Sequence, residues 1–385
     1  MIKIFTCSLL VIFLINSPIF GQTQDVWLRF FDSTGDRVGF ADKKGMIKIP
    51  AKFIKSTRAD SFYNIIAVAE FNDSLYKSYY LLKNGRKAGI DSVYSFDFSF
   101  DCESEGKIIF QDKKKNRVGF LDQNGQAIIP AIYNYVTPFH NGLALAYRNA
   151  KRMCWDEKED TLNCEHWGWT GGELILINEK NEILADSVDL NGSHVNWYSA
   201  KINQTYIDTS RYIQLKGRNN RVYSFLDYDK EFQNWFQAIF LPTLHNPHGN
   251  LINLLFSEIT FWTGKTGWTS LDRKKFLVKF PNVLLNSLFQ TNRLKQISIS
   301  QSSLNELIYN KPIYRQYLNA CGEHNKYRFP LFNVLLTYYK KRERVNEIGA
   351  TDFDKNYEIS FQLEFEFLRT SEGYKLLSAP VRVNL

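Results

Sequence analysis

Little in this chain announces a reaction. Its 385 residues include five cysteines, six histidines and three methionines. No Cys-x-x-Cys occurs, which removes the common zinc and thiol-redox signatures. There is no Gly-x-Ser-x-Gly elbow and no P-loop, so neither a serine hydrolase of that type nor a nucleotide cradle is indicated. No apolar run reaches the roughly 20 residues that span a bilayer. No nucleic-acid-binding motif appears either.

The first residues point to a compartment. In "MIKIFTCSLLVIFLINSPIFGQ" one cation, Lys3, precedes an apolar run from Ile4 to Ile15. Ser17 and Pro18 break the run, and Gly21 supplies a small residue before Gln22. That order reads as a secretory signal peptide over residues 1–21 and predicts a periplasmic or extracellular protein. Cys7 lies inside the apolar run rather than after it, so it does not read as a lipidation site. Four cysteines would remain. Cys154 and Cys164 bracket the polar stretch "CWDEKEDTLNC", a short loop that a disulfide can close in an oxidising compartment. His166 is near, but the ligands are too few for zinc. Cys102 and Cys321 either pair with each other or stay as thiols.

Charge divides the chain. Residues 22–190 carry 22 basic and 24 acidic side chains, whereas 191–385 carry 25 and 16. The asymmetry predicts two domains, 22–190 and 195–385. A basic exported domain can meet anionic lipid, glycan or an acidic protein, although scattered solubilising lysines give the same count.

What the chain has in abundance is self-similarity. "RVGFADKKGMIKIPAKF" at 37–53 returns as "RVGFLDQNGQAIIPAIY" at 117–133. "FYNIIAVA" at 62–69 returns as "FHNGLALA" at 139–146. Each phrase reads as strand, tight turn with a glycine of positive φ, and returning strand closed by proline. Weaker copies, "RKAGID" at 86–91 and "HWGW" at 166–169, give the key glycines Gly39, Gly89, Gly119 and Gly168. Their spacing predicts a duplicated double unit whose parts share a core.

These residues resemble the WG-repeat family, whose unit runs K-W-G-(Y/F)-(I/L)-D-x-x-G-x-x-(V/I)-I-P-x-x-Y-D and then F-x-x-G-L-A-x-V. The tryptophan survives only at Trp167; Val38, Ala88 and Val118 replace it elsewhere. The resemblance covers about 25–190 and implies an all-β antiparallel array. It implies no enzyme and carries over no functional residue, since the recurring Asp and Gly serve turns.

The second half changes character. Four helical regions are predicted. "DYDKEFQNWFQAIFLPTL" starts at Asp227 and stops at Pro242. "GNLINLLFSEITFW" follows. "TSLDRKKFLVKF" has Thr269 or Ser270 as cap, and "SSLNELIYNKPIYRQYLNAC" breaks at Pro312. Period two then takes over. In "YEISFQLEFEF" Tyr357, Ile359, Phe361, Leu363, Phe365 and Phe367 face one way and the polar residues face the other. Strands at 329–341, 355–369 and 373–384 with preceding helices predict an α+β domain with one wet sheet face. By element order it is similar to NTF2-like or cystatin-like folds.

Candidate chemistry is sparse. His245 and His248 lack a third ligand and the usual helical spacing, so no metal site is expected. "CGEH" at 321–324 reads as a structural helix end rather than a nucleophile with its base. Glu364 and Glu366 have the alternation of an ordinary solvated strand face, although paired acids also serve glycosidases. The binding candidates are Trp155, Trp167 and Trp169, flat rings among acids that suit sugars or cationic groups. The alternative is that Trp167 and Trp169 fill the repeat core. Trp262 and Trp268 are expected to pack the mouth of the second core. The chain thus reads as an exported, non-catalytic binding or interaction protein. It has no cofactor, and its partner is an unidentified protein or glycan of the cell envelope. The alternatives are an envelope polymer hydrolase with an unrecognised site, or an accessory subunit of an envelope complex.

Overall fold

The computed structural model describes residues 25–72, 75–154, 164, 166–190, 194–245, 250–281, 283–288, 295–341 and 356–381. The expected signal peptide and Trp155 lie outside the described residues. The chain is mostly antiparallel β-sheet with few helices.

The duplicated phrase folds twice into the same object. Strands Val38–Ala41 and Ile47–Phe53 pair as Phe40↔Ile49, Ala41↔Ile47 and Val38↔Phe53, with a bulge between. Strands Arg117–Asp122 and Ala127–Tyr133 pair as Phe120↔Ile129, Leu121↔Ala127 and Val118↔Tyr133, with the same bulge. The turns match atom for atom. Asp42 Oδ1 accepts from the amides of Lys44 and Met46, both at 2.9 Å. Asp122 Oδ1 accepts from Asn124 and Gln126 at 2.9 and 2.8 Å. Gly45 and Gly125 follow at φ +83° and +70°. The recurring aspartates are therefore turn acceptors, as the repeat reading holds.

Gly39 and Gly119 serve the bulge. A methyl group on Gly119 would overlap the Ile129 carbonyl oxygen, and one on Gly39 would sit 2.7 Å from that of Ile49. The backbones approach too closely for any side chain. The chain also contains a turn of this design that the motif did not reveal. Asn178 Oδ1 accepts from the amides of Lys180 and Glu182, and Asn181 takes φ +61° where the repeats have glycine.

The repeats bury their faces against one another. Phe40 meets Phe62 at 5.6 Å, and the equivalent Phe120 meets Phe139 at 4.6 Å. A later cluster joins Leu176 and Ala185 to Val195, Trp197 and Phe225. Strands Val195–Asn203, Tyr212–Lys216 and Val222–Asp227 supply its second half, so apolar packing continues across residues 190–195.

After Asp227 the helix Tyr228–Trp235 begins as expected, with the Asp227 carboxylate accepting from the amides of Asp229 and Lys230. Pro242 does not stop it. A π-helical turn, Phe236–Phe240, widens the ladder and the chain runs on helically as Leu241–His245. Three further helix expectations are corrected. Leu255–Thr263 is a strand, preceded only by a 3-10 turn at Leu251–Leu254. Its apolar spacing fits both periods, and pairing with Gly267–Asp272 on one side and Gly373–Ser378 on the other decides for β. Residues Gly267–Asp272 are also strand, and the helix begins later at Arg273 with Asp272 as its cap. The fourth region holds only turns and the 3-10 segment Pro312–Tyr317.

A six-stranded sheet dominates this part. Its order is Gly267–Asp272, Leu255–Thr263, Gly373–Ser378, Tyr357–Thr370, Leu331–Lys341 and Lys295–Ser302. Only the pair Leu255–Thr263 with Gly373–Ser378 is parallel. Leu363, Phe365 and Phe367 are buried with Phe232, Phe236 and Phe240 of the helical stretch, and Phe232 stacks on Phe332 at 4.3 Å. The alternation does not hold to the strand's start. A bulge between Phe361 and Ile359 re-aims the chain, and Ile359 is 57 % exposed. The opposite face is not uniformly wet. Near its centre Tyr309, Tyr314 and Tyr317 cover Leu331, Leu368 and Leu377.

The bulge glycine gives a direct test. Gly119→Ala should cost about 2–4 kcal/mol, because strand backbone rather than a flexible side chain must move. Gly171 has φ +66° but open space around it. Gly171→Ala should cost only about 1 kcal/mol, from backbone conformation alone. Urea midpoints of the two variants check the ranking.

Candidate functional site

The segment "DCESEG", residues 101–106, is where the two repeat copies and the late chain meet. The Glu103 carboxylate accepts from the amides of Asn64 and Ile65 at 2.8 and 3.0 Å. The Glu105 carboxylate accepts from those of Asn141 and Gly142 at 2.6 and 2.9 Å. Asn64–Ile65 and Asn141–Gly142 are equivalent positions of the duplicated phrase. Two glutamates two residues apart thus hold the matching turns of both copies. Immediately before them Cys102 is bridged to Cys321, with Cα atoms 5.6 Å apart. The pairing that the sequence left open is settled by this contact.

The disulfide seats residues 316–329 against the array. Asn319 Oδ1 accepts from the amides of Cys321 and Glu323, forming a turn like those of the repeats. The Ala320 carbonyl accepts from the amides of Asp60 and Ser61 at 2.8 and 3.1 Å. Arg58 pairs with Glu323. Tyr327 stacks on His140 with ring centres 4.2 Å apart, and Tyr228 Oη donates to the carbonyls of Tyr327 and Arg328.

Three adjoining cavities lie along this joint. An open, polar cleft of about 640 Å³ is bordered by Tyr63, Glu103, Glu105, Tyr198 and Arg328. A chamber of about 290 Å³ is lined by Asp101, His140, Asn319, His324 and Tyr327. A more apolar one of about 260 Å³ has His140, Trp197, Tyr228, Lys326 and Tyr327 in its wall. Their sizes suit small ligands or single side chains.

Burial sets the protonation of the groups here. It pushes the His140 imidazole down to about 4, against the opposing charge of Glu105. It also pushes His324 down to about 4, although the bond to the Phe329 carbonyl opposes this. Both rings are therefore neutral at physiological pH. The Asp101 carboxyl is pushed up to about 7 by burial, although the amides of Ile109 and Cys102 bind it.

No catalytic relay forms among the described residues at this joint. Glu103 and Glu105 are occupied by backbone amides and by Tyr198 Oη. Ser104 and Lys107 have the spacing of a Ser-Lys pair. Yet Ser104 Oγ donates to the Phe139 carbonyl at 2.7 Å, and the Lys107 ammonium pairs with Glu179. Cys321 is bridged, and His324 forms an isolated β-bridge with Leu318 rather than ending a helix. Among the described residues no group of three or more His, Cys, Asp or Glu is placed to hold a metal.

The tryptophans named from sequence lie elsewhere. Trp167 and Trp169 belong to a two-stranded ribbon, Lys151–Cys154 with Trp167–Thr170. The rings meet edge to face at 5.2 Å, and the Arg152 guanidinium lies 4.1 Å over Trp167. Trp167 is 37 % exposed. Cys154 and Cys164 are bridged at the ribbon's end, as their spacing predicted. Trp262 and Trp268 do not pack the mouth of a core. They pair across strands at 5.6 Å and are 56 % and 48 % exposed, because register puts both on the face away from the helices.

His140 and Tyr327 were missed by sequence reasoning, and His324 was weighed only as a base beside Cys321 in "CGEH" and set aside. One signal was present. His140 stands where the first copy has Tyr63, in "FHN" against "FYN", and both positions border the joint.

Residues 119–151 match the model of the WG containing repeat family, inside the N-terminal half. No curated protein and no solved structure matches the chain. The NTF2-like or cystatin-like resemblance finds no support in these comparisons.

The supposedly wet strand face also holds a titrating group. Glu366 is largely covered, accepts from Tyr309 Oη, and is pushed by burial up to about 7 from 4.5. The folded protein therefore holds a proton that the unfolded chain releases, and stability falls as pH rises through roughly 4.5 to 7. Glu366→Gln should stabilise by about 2–3 kcal/mol at pH 8 and by under about 0.5 kcal/mol at pH 4.5. Urea unfolding at the two pH values reads this directly.

Proposed function

We propose that the chain is an exported, non-catalytic binding protein. Its β-repeat array is the scaffold, and the late α+β part supplies the segment that closes a binding cleft. In this reading residues 1–21 direct export. The array runs from 25 through the meander that ends at 227, and the helix-covered six-stranded sheet forms the second unit. Two disulfides accord with an oxidising compartment. Among the described residues no helix is long and apolar enough to cross a membrane.

One observation carries the reading. The cavities cluster where the two halves of the chain are pinned together, and the acidic groups there are engaged by backbone amides rather than aimed at a reacting centre. Such a site orients and retains a ligand without turning it over. The hydrolase alternative draws on one fact, the two carboxyls held near neutrality, Asp101 and Glu366.

Incubating the full chain with fractionated cell-envelope glycans and peptides, then weighing protein and fractions by native mass spectrometry, separates the two. Binding predicts a retained ligand of unchanged mass, lost in the Tyr63→Ala, Arg328→Ala double variant. Accumulating cleavage products would replace this reading with the hydrolase.

A further inference from the structure

The second pair of exposed tryptophans stands at one end of the six-stranded sheet. Strands Leu255–Thr263 and Gly267–Asp272 are joined by a turn at 264–266, and Trp262 and Trp268 form the second cross-strand pair from it. Both rings are about half in water and pack on each other rather than on a core. The hydroxyls at this tip satisfy one another: Thr266 Oγ1 lies 2.6 Å from Thr263 Oγ1 and 3.0 Å from Thr269 Oγ1. They keep these partners when the tip leaves water.

The helix Arg273–Lys279 brings positive charge to the same end. Phe276 and Phe280 both meet Phe261, at 5.9 and 5.4 Å between ring centres, and Phe261 directly precedes Trp262 in its strand. The helix therefore ends beside the hairpin tip, and the Lys279 ammonium lies 5.4 Å from the Phe280 ring centre. Val278, 84 % exposed, stands with Lys274, Lys275 and Lys279 along the outer side of the helix, and Lys265 stands in the turn itself. None of these four lysines is ion-paired among the described residues. Residues 264–281 carry one acid, Asp272, whose carboxylate accepts from the amides of Lys274 and Lys275. Glu258, opposite Asp272 in the ladder, is paired with Lys311. The charge at this end is left uncompensated, and it is all of one sign.

We propose that this end of the sheet docks the protein on an anionic membrane surface, with Trp262 and Trp268 entering the headgroup layer and Lys265, Lys274, Lys275 and Lys279 meeting lipid phosphates. Half-exposed indoles beside unpaired lysines match a layered partner, apolar within and anionic at its surface. Indole rings favour the headgroup layer, which accommodates both an apolar body and a polar N–H. Lysine stems lie on apolar surface while the ammonium groups reach the phosphates. A glycan is a poorer match, because the two rings cross at 75° and present no shared flat face to a sugar. An acidic protein surface would satisfy the lysines and leave the indoles in water. The docking end shares no residue with the three cavities of the joint, so it does not rest on the binding reading above.

The test uses residues 22–385, which keep every described element without the apolar leader. Phosphatidylcholine vesicles, with and without phosphatidylglycerol, are titrated and sedimented with the protein. The proposal expects saturable binding only where phosphatidylglycerol is present, weakening as salt rises, and quenching of indole fluorescence by brominated lipid. Trp262→Ala with Trp268→Ala should abolish the quenching and lower the affinity at least about fivefold. Lys265→Gln with Lys279→Gln should lower it about fivefold per lysine. Lys113→Gln with Lys114→Gln removes the same charge from a turn of the repeat array and should change it by under about twofold. All six side chains are exposed, and circular dichroism establishes that the variants are folded. No binding, equal binding to both kinds of vesicle, undiminished binding by the tryptophan variant, or an equal loss in the array variant would each overturn the proposal. So would binding to soluble polygalacturonate or polyglutamate but not to vesicles, which would assign an anionic glycan or an acidic protein instead.

Discussion

Two carboxylates two residues apart hold the two repeat copies in register. Glu103 and Glu105 lie on the same short segment and each accepts two backbone amides from the matching turn of one repeat copy. A hydrogen bond to a charged acceptor contributes about 1.5–3 kcal/mol where it is buried, as at the Ile65 amide, and less at the exposed Asn141 and Gly142 amides. The duplicated strand pairs could in principle sit at many relative angles. The glutamate pair restricts these, and Cys102, the residue before Glu103, carries the constraint to the late chain through Cys321.

From that joint the cavities follow. A disulfide spanning 219 positions fixes where residues 316–329 land, and the repeat-like turn at Asn319 shapes them to fit the array. Tyr327 is brought onto His140, and the space left around the contact is the two chambers. The same logic explains why the two histidines are neutral. They are walls of a packed junction, dried by burial rather than tuned by an acid partner.

Much of the first half was legible because its signals are local. A glycine after Asp-x-x, a proline ending the returning strand and an offset of 80 between copies predict the turns and bulges residue by residue. In the second half the helix at Asp227 and the strand at 357–367 were readable for the same reason. Leu255–Thr263 was not, because its apolar residues satisfy two periods and a non-local parallel partner, Gly373–Ser378, decides. Glu366 looked solvated because alternation tells which side a residue faces and not what later covers that side. The site itself was the least legible. It is assembled from residues far apart in sequence, and the tryptophans that drew attention by composition lie on a separate ribbon and at an exposed hairpin.

The central claim is that the 101–106 segment couples the repeats to the late chain. Amide hydrogen exchange on Glu105→Gln tests it most directly. The account predicts at least tenfold faster exchange, about 1.4 kcal/mol of lost protection, at Asn141 and Gly142. It also predicts a parallel rise across residues 318–325, although these touch neither amide. Faster exchange confined to Asn141 and Gly142, with 318–325 unchanged, would show a local turn contact and contradict the account.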